Sequence, residues 1–310
     1  MSRGEGSRGR WPALSVGMPV YNGARWLEAA AASMLGQTFD NIELIISDNA
    51  STDETPDLAE RLLARDSRVR YVRNAENRGA VFNYNQAASL ARAPLFKWAS
   101  VSDWCDATML EKCVRRLEGR NDAVLCAPRT WLVSADGSLR AYEHDVELEE
   151  TGPCARFKRL LQTTRLNNMM NGVLRTDAVR RARPHGSYMA SDLPFMAELA
   201  LGGKFLLEPE RLFYRRDELF ESKAARLRLH QAERQSYFAP RRRTPLLFQQ
   251  WKLLFGFCAA ARRAAIPGAA RRCVYGYLLK CTYWSRHELW DDLAVGVTTP
   301  LRRARVPGLE

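Results

Sequence analysis

Residues 14–53 read LSVGMPVYNGARWLEAAAASMLGQTFDNIELIISDNASTD, and no other stretch of the chain says as much about its architecture. Residues 14–18 and 42–46 are unbroken apolar or β-branched runs, as strands covered on both faces require. Between them Ala24–Leu35 is rich in alanine and sets Leu27, Ala31 and Met34 at helical spacing. Working outward, Ser51 and Thr52 are expected to cap a second helix whose first turn takes Pro56 and Asp57. A third strand follows at 69–72, a third helix at 82–91 and a fourth strand at 95–99. Four strand-then-helix units in about 100 residues predict a parallel, doubly wound α/β sheet.

Beyond residue 120 the period changes. Residues 123–127 and 130–133 have strand character, and SADG (134–137) is turn chemistry leading into a further strand at 139–142. Residues 192–201 form a helix expected to end in left-handed backbone at Gly202-Gly203. Short strands are predicted at 204–207 and 212–215. The late strands are expected to join the parallel sheet antiparallel.

The chain has 310 residues and a formal net charge of +12. Residues 1–222 hold 30 basic and 30 acidic side chains, so the whole excess lies in residues 223–310, with 17 against 5. That tail is helical in pattern and interrupted by Pro240, Pro245 and Pro267. Basic pairs such as Arg262-Arg263 and Arg271-Arg272 alternate there with apolar and aromatic stretches. Three explanations compete for it: contact with an anionic membrane surface, packing on the rest of the chain or on a second copy, and nucleic-acid binding. The last lacks any module signature. The seven cysteines (105, 113, 126, 154, 258, 273 and 281) include no C-x-x-C pair, which predicts idle or buried thiols in a reducing compartment. Residues 1–10 have no apolar core of a signal peptide and are expected to be a disordered lead. No run approaches the ~20 apolar residues of a membrane span. A cytoplasmic protein is expected, with a peripheral place at the inner face of the membrane open to it.

In a doubly wound sheet, ligands bind beyond the carboxyl ends of the strands. The turns there are PVYNG (19–23), SDNASTD (47–53), NAENRG (74–79) and SVSDWCD (100–106). All are polar, and none is a dinucleotide G-x-G-x-x-G or a Walker loop. Any one of them can be explained as ordinary turn composition. Together they gather three carboxylates, Asp48, Asp53 and Asp103, at one edge.

The blocks LSVGMPVYNG (14–23), IISDNASTD (45–53) and NRG (77–79), in that order, resemble the nucleotide-sugar half of the inverting family 2 glycosyltransferases. The resemblance covers residues 13 to about 217 and implies a GT-A fold: a mixed, doubly wound sheet with a Rossmann-like nucleotide half. It implies a domain over residues 11–222, divided into a nucleotide-sugar half (11–127) and an acceptor half (128–222), with a basic helical extension over 223–310. By the same resemblance Pro19, Tyr21, Asn22 and Asp48 hold the nucleobase and ribose, with Asn77, Arg78 and Gly79 beside them. A carboxylate accepts naturally from uracil N3–H or a ribose hydroxyl.

The family then carries an acidic motif that holds Mg²⁺ or Mn²⁺ against the diphosphate. This sequence has Val101 and Ser102 where acids are usual, leaving Asp103 as the metal ligand and Ser102 beside it. Asp106 lies three residues on and would help only if the turn brings it back. MASDLPFMAELALGGKF (189–205) resembles the segment in which an acid opens a helix and serves as general base, here Asp192. The plainer explanation of Asp192 is a helix cap. LFYRR (212–216) also resembles the family and offers Arg215 or Arg216 to the diphosphate. Trp98 and Trp104 bracket the acidic turn, as sugar-pocket walls or as core. Gln249-Gln250-Trp251 does not supply the Q-x-x-R-W motif of processive synthases, which favours single additions.

The resemblance therefore implies transfer of one sugar from a nucleotide diphosphate sugar, UDP-linked by preference, to a hydroxyl on a glycan or lipid-linked acceptor. Two rivals remain from the sequence: a degenerate nucleotide-sugar-binding module, suggested by Ser102, and a sugar nucleotidyltransferase. The latter would want a Gly-rich basic loop where Pro19–Gly23 stands.

Overall fold

The computed structural model describes residues 11–217 and 247–304. The expected lead at 1–10 and the expected boundary at 222 lie outside them. The first strands and helices follow the predicted order: β1 (Leu14–Val20), α1 (Ala24–Leu35), β2 (Ile42–Asp48), α2 (Thr55–Arg65), β3 (Val69–Arg73), α3 (Ala80–Ser89) and β4 (Leu95–Trp98). Then come β5 (Trp104–Cys105), α4 (Met109–Leu117), β6 (Ala123–Val133), β7 (Leu139–Ala141), α5 (Pro153–Thr163), β8 (Val173–Arg175), α6 (Thr176–Arg181), α7 (Asp192–Gly202) and β9 (Lys204–Arg216). Three tail helices close the described chain: α8 (Gln249–Arg263), α9 (Gly268–Trp284) and α10 (Arg286–Ala304).

The strands form one sheet in the order β3-β2-β1-β4-β8-β6-β9-β5, with β7 on β6. Strands β1 to β4 are mutually parallel, while β8 runs antiparallel to both β4 and β6. The added strands are therefore not uniformly antiparallel, because β6 and β9 pair parallel. Two predicted breaks disappear: 123–133 is one strand and 204–216 another. Their register shifts around Pro128 and Arg129, where a proline cannot donate to the ladder and a bulge carries the strand past it.

One face of the sheet is covered by α1, α2 and α4 through Leu27, Leu58 and Leu110, the other by α3, α5 and α7 through Ala88, Phe157 and Met196. The tail joins the second layer. Phe257, Ala261 and Ile266 from α8 and its exit, and Val274 and Leu278 from α9, are buried in the same core as Phe157 and Phe195.

Three local expectations need correction. Ser51 and Thr52 do not cap α2, which begins at Thr55 with Pro56 and Asp57 in its first turn as expected. Gly203 is extended rather than left-handed. It is required because a Cβ there would come within 2.5 Å of Val124 Cγ1. The cysteines are not all idle: Cys154 on α5 and Cys273 on α9 form a disulfide across 119 residues, a pairing that spacing cannot reveal. Among the described residues no helix is long and apolar enough to cross a membrane.

Candidate active site

The turns after β1, β2 and β3 are bolted to one another. Asn22 sits in left-handed backbone (φ 50°), and its N–H donates to Ser51 Oγ at 2.9 Å. Thr52 N–H returns a bond to Asn22 Oδ1 at 2.8 Å. Gly23 N–H reaches Thr55 Oγ1 and Ala24 N–H reaches Asp53 Oδ2, so the turn after β2 supplies the acceptors that the start of α1 lacks. Ser51, Asp53 and Thr55 are the acceptors, and Thr52 is the donor that ties the turn back to Asn22. Burial pulls the Asp53 carboxyl upward, but hydrogen bonds from Thr55 and Ala24 outweigh it and hold the group below the usual carboxylate range.

Asp48 is fully buried at the end of β2. Its Oδ1 accepts from the N–H and hydroxyl of Ser51, at 2.9 and 2.6 Å. Its Oδ2 accepts from Tyr71 Oη at 2.8 Å and lies 3.3 Å from Arg73 Nε. Burial and the Asp48 carboxylate push the Tyr71 phenol up. Asp48 is thus the hub beneath the turn, its charge matched by protein donors. Pro19 is likewise buried, within β1, whereas Tyr21 is exposed.

Asn49, which the sequence reading passed over, joins the second turn to the third. Its Nδ2 donates to Asn77 Oδ1 at 2.8 Å, and its Oδ1 accepts from Asn74 Nδ2 and from the Arg78 N–H. Asn77 Oδ1 also accepts the Gly79 N–H at 2.9 Å, and Gly79 takes φ 88°, a conformation that favours glycine. The Arg78 guanidinium lies 3.6 Å over the Phe82 ring. Asn83 donates to the carbonyls of Val20 and Ser47, tying β1 to β2.

The acidic turn after β4 is held from β9. Arg216 N–H donates to Asp103 Oδ1 at 3.1 Å, and Arg216 Nε to the Ser102 carbonyl at 2.8 Å. The guanidinium lies between Trp26 and Trp104, 3.9 and 4.7 Å from their rings, and Trp104 stacks on Tyr214. Trp98, the other tryptophan singled out, is core, with its indole N–H on the Tyr84 carbonyl. Burial raises the Asp103 carboxyl above its ordinary value, against the Arg216 N–H and the charges of Arg215 and Lys97. Lys97 is itself buried, its ammonium donating to the carbonyls of Trp98 and Asn171.

Asp106 does not turn back; its Oδ1 binds the N–H and hydroxyl of Thr108 at the start of α4. Among the described residues no three His, Cys, Asp or Glu side chains are grouped to hold a metal ion. Asp103 with the Ser100 and Ser102 hydroxyls is a hard-oxygen set. It fits Mg²⁺ or Mn²⁺ only as an ion that arrives with the diphosphate and keeps several waters.

Arg215 and Arg216 alternate across β9, so Arg215 faces the other way. Its guanidinium donates to Asn168 Oδ1 at 2.7 Å. The neighbouring Asn167 donates through Nδ2 to Asp192 Oδ2 at 2.6 Å. The helix cap that would be the plainer role of Asp192 is not made. Ser191 makes no side-chain bond to the start of α7, and the Asp192 carboxylate turns to Asn167. An open cavity of about 350 Å³ is lined by Tyr142, His144, Arg165, Leu166 and Asp217 among others.

The tail reaches this region too. Gln249 Oε1, at the start of α8, accepts the Met189 N–H at 2.9 Å. Gly256 packs so closely on the loop before α7 that a Cβ there would lie 2.5 Å from Tyr188 Oη and 2.9 Å from Pro194 Cγ. Asp292 of α10 in turn accepts the Gln250 N–H. His185, on the same loop, is buried between Trp98 and Phe195, and burial depresses its pKa to about 4.

A mixed sheet of this order, with helices on both faces and polar turns at one edge, is a scaffold of GT-A type. It superposes on Staphylococcus aureus TarS residues 1–349 in complex with UDP, with a TM-score of 0.62 at 12% identity, over 87% of this chain and 71% of that one. The UDP-GlcNAc complex of the same protein gives a TM-score of 0.61 at 13% identity, over 87% and 72%. The profile described as "Glycosyl transferase family 2" matches residues 15–179, just over half the chain, and the chain belongs to that family. Among curated relatives, Streptococcus pneumoniae serotype 4 "Glycosyltransferase GlyG" is 26% identical over 129 residues, 42% of this chain and 43% of its own length. The "Chondroitin synthase" of Pasteurella multocida (strain Pm70) is 29% identical over 133 residues, 43% of this chain and 14% of its own length. The matches span a third to under half the length of the first such relatives.

Proposed function

We propose that this chain transfers one sugar from a nucleotide diphosphate sugar to a hydroxyl acceptor, with inversion at the anomeric carbon and without processive elongation. A UDP-linked donor is favoured, since the TarS neighbours are described with UDP and UDP-GlcNAc. The observation that carries the reading is β9, whose Arg216 holds the Asp103 turn while Arg215 binds the segment that holds Asp192. In this reading the end of β9 links a candidate leaving-group site to a candidate base.

In this reading Tyr21 and Asn22 face the base and ribose, with Asn77, Arg78 and Gly79 along the other side, on a floor set by Pro19 and Asp48. The diphosphate lies toward Ser102 and Asp103, where Arg216 supplies positive charge directly and Arg215, on the other side of β9, adds its charge at longer range. Asp103 would hold a Mg²⁺ or Mn²⁺ ion, which would offset the charge on the departing phosphate. The acceptor, a glycan or lipid-linked hydroxyl, occupies the cavity by Tyr142 and Arg165. Its oxygen attacks C1 opposite the leaving group and its proton passes to Asp192. The new C–O bond forms as the C1–phosphate oxygen bond breaks, and the electron pair leaves with the nucleoside diphosphate.

NMR of the product from an α-linked donor tests this, with a β-linkage expected; an α-linked product overturns the inverting mechanism. A second reading, a binding module without turnover, is favoured by Ser102 in place of an acid. It predicts nucleotide-sugar binding with neither transfer nor donor hydrolysis.

A further inference from the structure

Seven of the eleven large hydrophobic side chains exposed among the described residues lie on the three tail helices. Four of them crowd one corner, where α9 runs into α10. Leu279, Tyr283 and Trp284 end α9, and Trp290 stands one turn into α10, each more than half exposed. The opposite side of α9 is fixed inward, with Val274 and Leu278 in the core and Cys273 bonded to Cys154. The corner therefore cannot roll over to bury its aromatics.

The side that carries the aromatics bears basic residues, with the exposed acids Glu288 and Asp291 turned further round α10. At helical spacing Arg272, Leu279 and Tyr283 share the side of α9 away from Val274 and Leu278, with Lys280 and Trp284 on its shoulder. On α10, Arg286, Trp290 and Val297 share a side, and Glu288 points away from it. Lys280 lies 5.8 Å from the Trp284 ring and Arg286 lies 4.7 Å over Tyr283, so cations stand at the aromatic tips.

We infer that the α9–α10 corner is a docking surface for an anionic lipid bilayer, entering the headgroup layer with Tyr283, Trp284 and Trp290 while Arg272, Lys280 and Arg286 bind lipid phosphates. Tyr and Trp carry an apolar ring and a polar tip, the composition that membrane interfaces select. Basic side chains bury their stems along apolar surface and leave the charge at headgroup level. No described helix can cross the membrane, so the contact is peripheral. A second copy fits less well. An isologous interface would set the same three cations near themselves with no acid on that side to meet them. Nucleic acid would leave Leu279 and Val297 without a partner. The inference does not depend on the proposed glycosyl transfer.

Co-sedimentation of the full chain with phosphatidylglycerol-rich vesicles, against pure phosphatidylcholine vesicles, tests it directly. The chain is expected to sediment with the anionic vesicles only, and less at high salt. The variant Tyr283→Ser/Trp284→Ser/Trp290→Ser is expected to lose binding. The variant Lys280→Glu/Arg286→Glu should bind roughly thirtyfold more weakly or worse. These side chains are exposed, and unchanged thermal melting verifies that each variant is folded. Should one not fold, quenching of wild-type tryptophan fluorescence by brominated anionic lipid replaces it. Wild-type chain left in the supernatant, or folded variants that both bind undiminished, would overturn the proposal. So would sedimentation-velocity evidence that the aromatics instead close a dimer.

Discussion

The nucleotide edge and the acceptor side of the site are built on different principles. Along the nucleotide edge, the turns after β1, β2 and β3 brace one another through Asn22, Asp48, Asn49 and Asn77, all within residues 19–79. On the acceptor side, Asp192 rests on Asn167, Asn167 neighbours the Arg215 contact, and the loop before Asp192 is steadied by α8, some 60 residues downstream. A self-braced edge can be preformed before ligand arrives. A carboxylate propped by pieces from three parts of the chain depends on the whole fold being assembled. The contrast separates binding from chemistry.

The sharpest way to break that comparison is Asp192→Asn. Turnover is expected to fall about 10²–10⁴-fold, with nucleotide affinity by calorimetry unchanged. Retained turnover would remove Asp192 as the base. Weakened nucleotide binding would show that the two sides are not separate.

His185 probes the acceptor side through pH. Its Nε2 is buried without a hydrogen-bond partner among the described residues, and burial holds its pKa near 4. Below the unfolded value of about 6.5 the unfolded chain takes a proton that the folded chain refuses, so stability falls as pH falls from there toward 4. Between pH 7 and pH 5 the loss is about 2 kcal/mol. Asp103, raised by burial, works in the opposite direction as pH falls through its raised pKa. Urea unfolding at both pH values should show that loss in the wild type and a smaller one in His185→Phe. Equal losses would clear His185 of the effect.

On the nucleotide edge, Asn49→Ala removes three hydrogen bonds between turns. We expect about 1–3 kcal/mol of stability lost and nucleotide affinity lowered by roughly tenfold, with kcat nearly unchanged at saturation. A large fall in kcat instead would mean that this edge takes part in chemistry.

The same division explains what could be read in the sequence. Strands β1 to β4, helix α1 and the site turns between them were legible because each unit is local. Apolar runs mark the strands, and the turns carry unusual concentrations of Asn, Asp and Gly. Asn49 escaped because its partners Asn74 and Asn77 are about 25 residues away, although its place directly after Asp48 was a usable signal. The bulge at Pro128 looked like a gap between two strands, since proline interrupts a ladder whether the strand ends or bends around it. The tail was the least legible. Its charge was conspicuous, but what ties it to the domain is Gly256, Gln249 and Cys273, residues whose meaning lies in what faces them.

Gly256→Ala tests the prop that distinguishes the acceptor side, and its effect should be the smallest of the set. The added methyl would meet Tyr188 Oη at 2.5 Å, and Pro194, two residues into the helix that Asp192 opens, at 2.9 Å. A tyrosine tip can swing aside, whereas the Pro194 ring is fixed to α7, so the strain falls partly on the loop and helix start that hold Asp192. We expect kcat to drop about five- to tenfold, a barrier increase of about 1 kcal/mol, with the donor KM little changed. Removing the obstructing hydroxyl in Gly256→Ala/Tyr188→Phe should restore part of the loss, because the 2.5 Å contact is then gone while Pro194 remains. A helix that merely stabilises the fold predicts otherwise: a lower melting temperature with kcat intact and no recovery in the double variant. That result would return α8 to the role of scaffold and leave Asn167 as the support of Asp192.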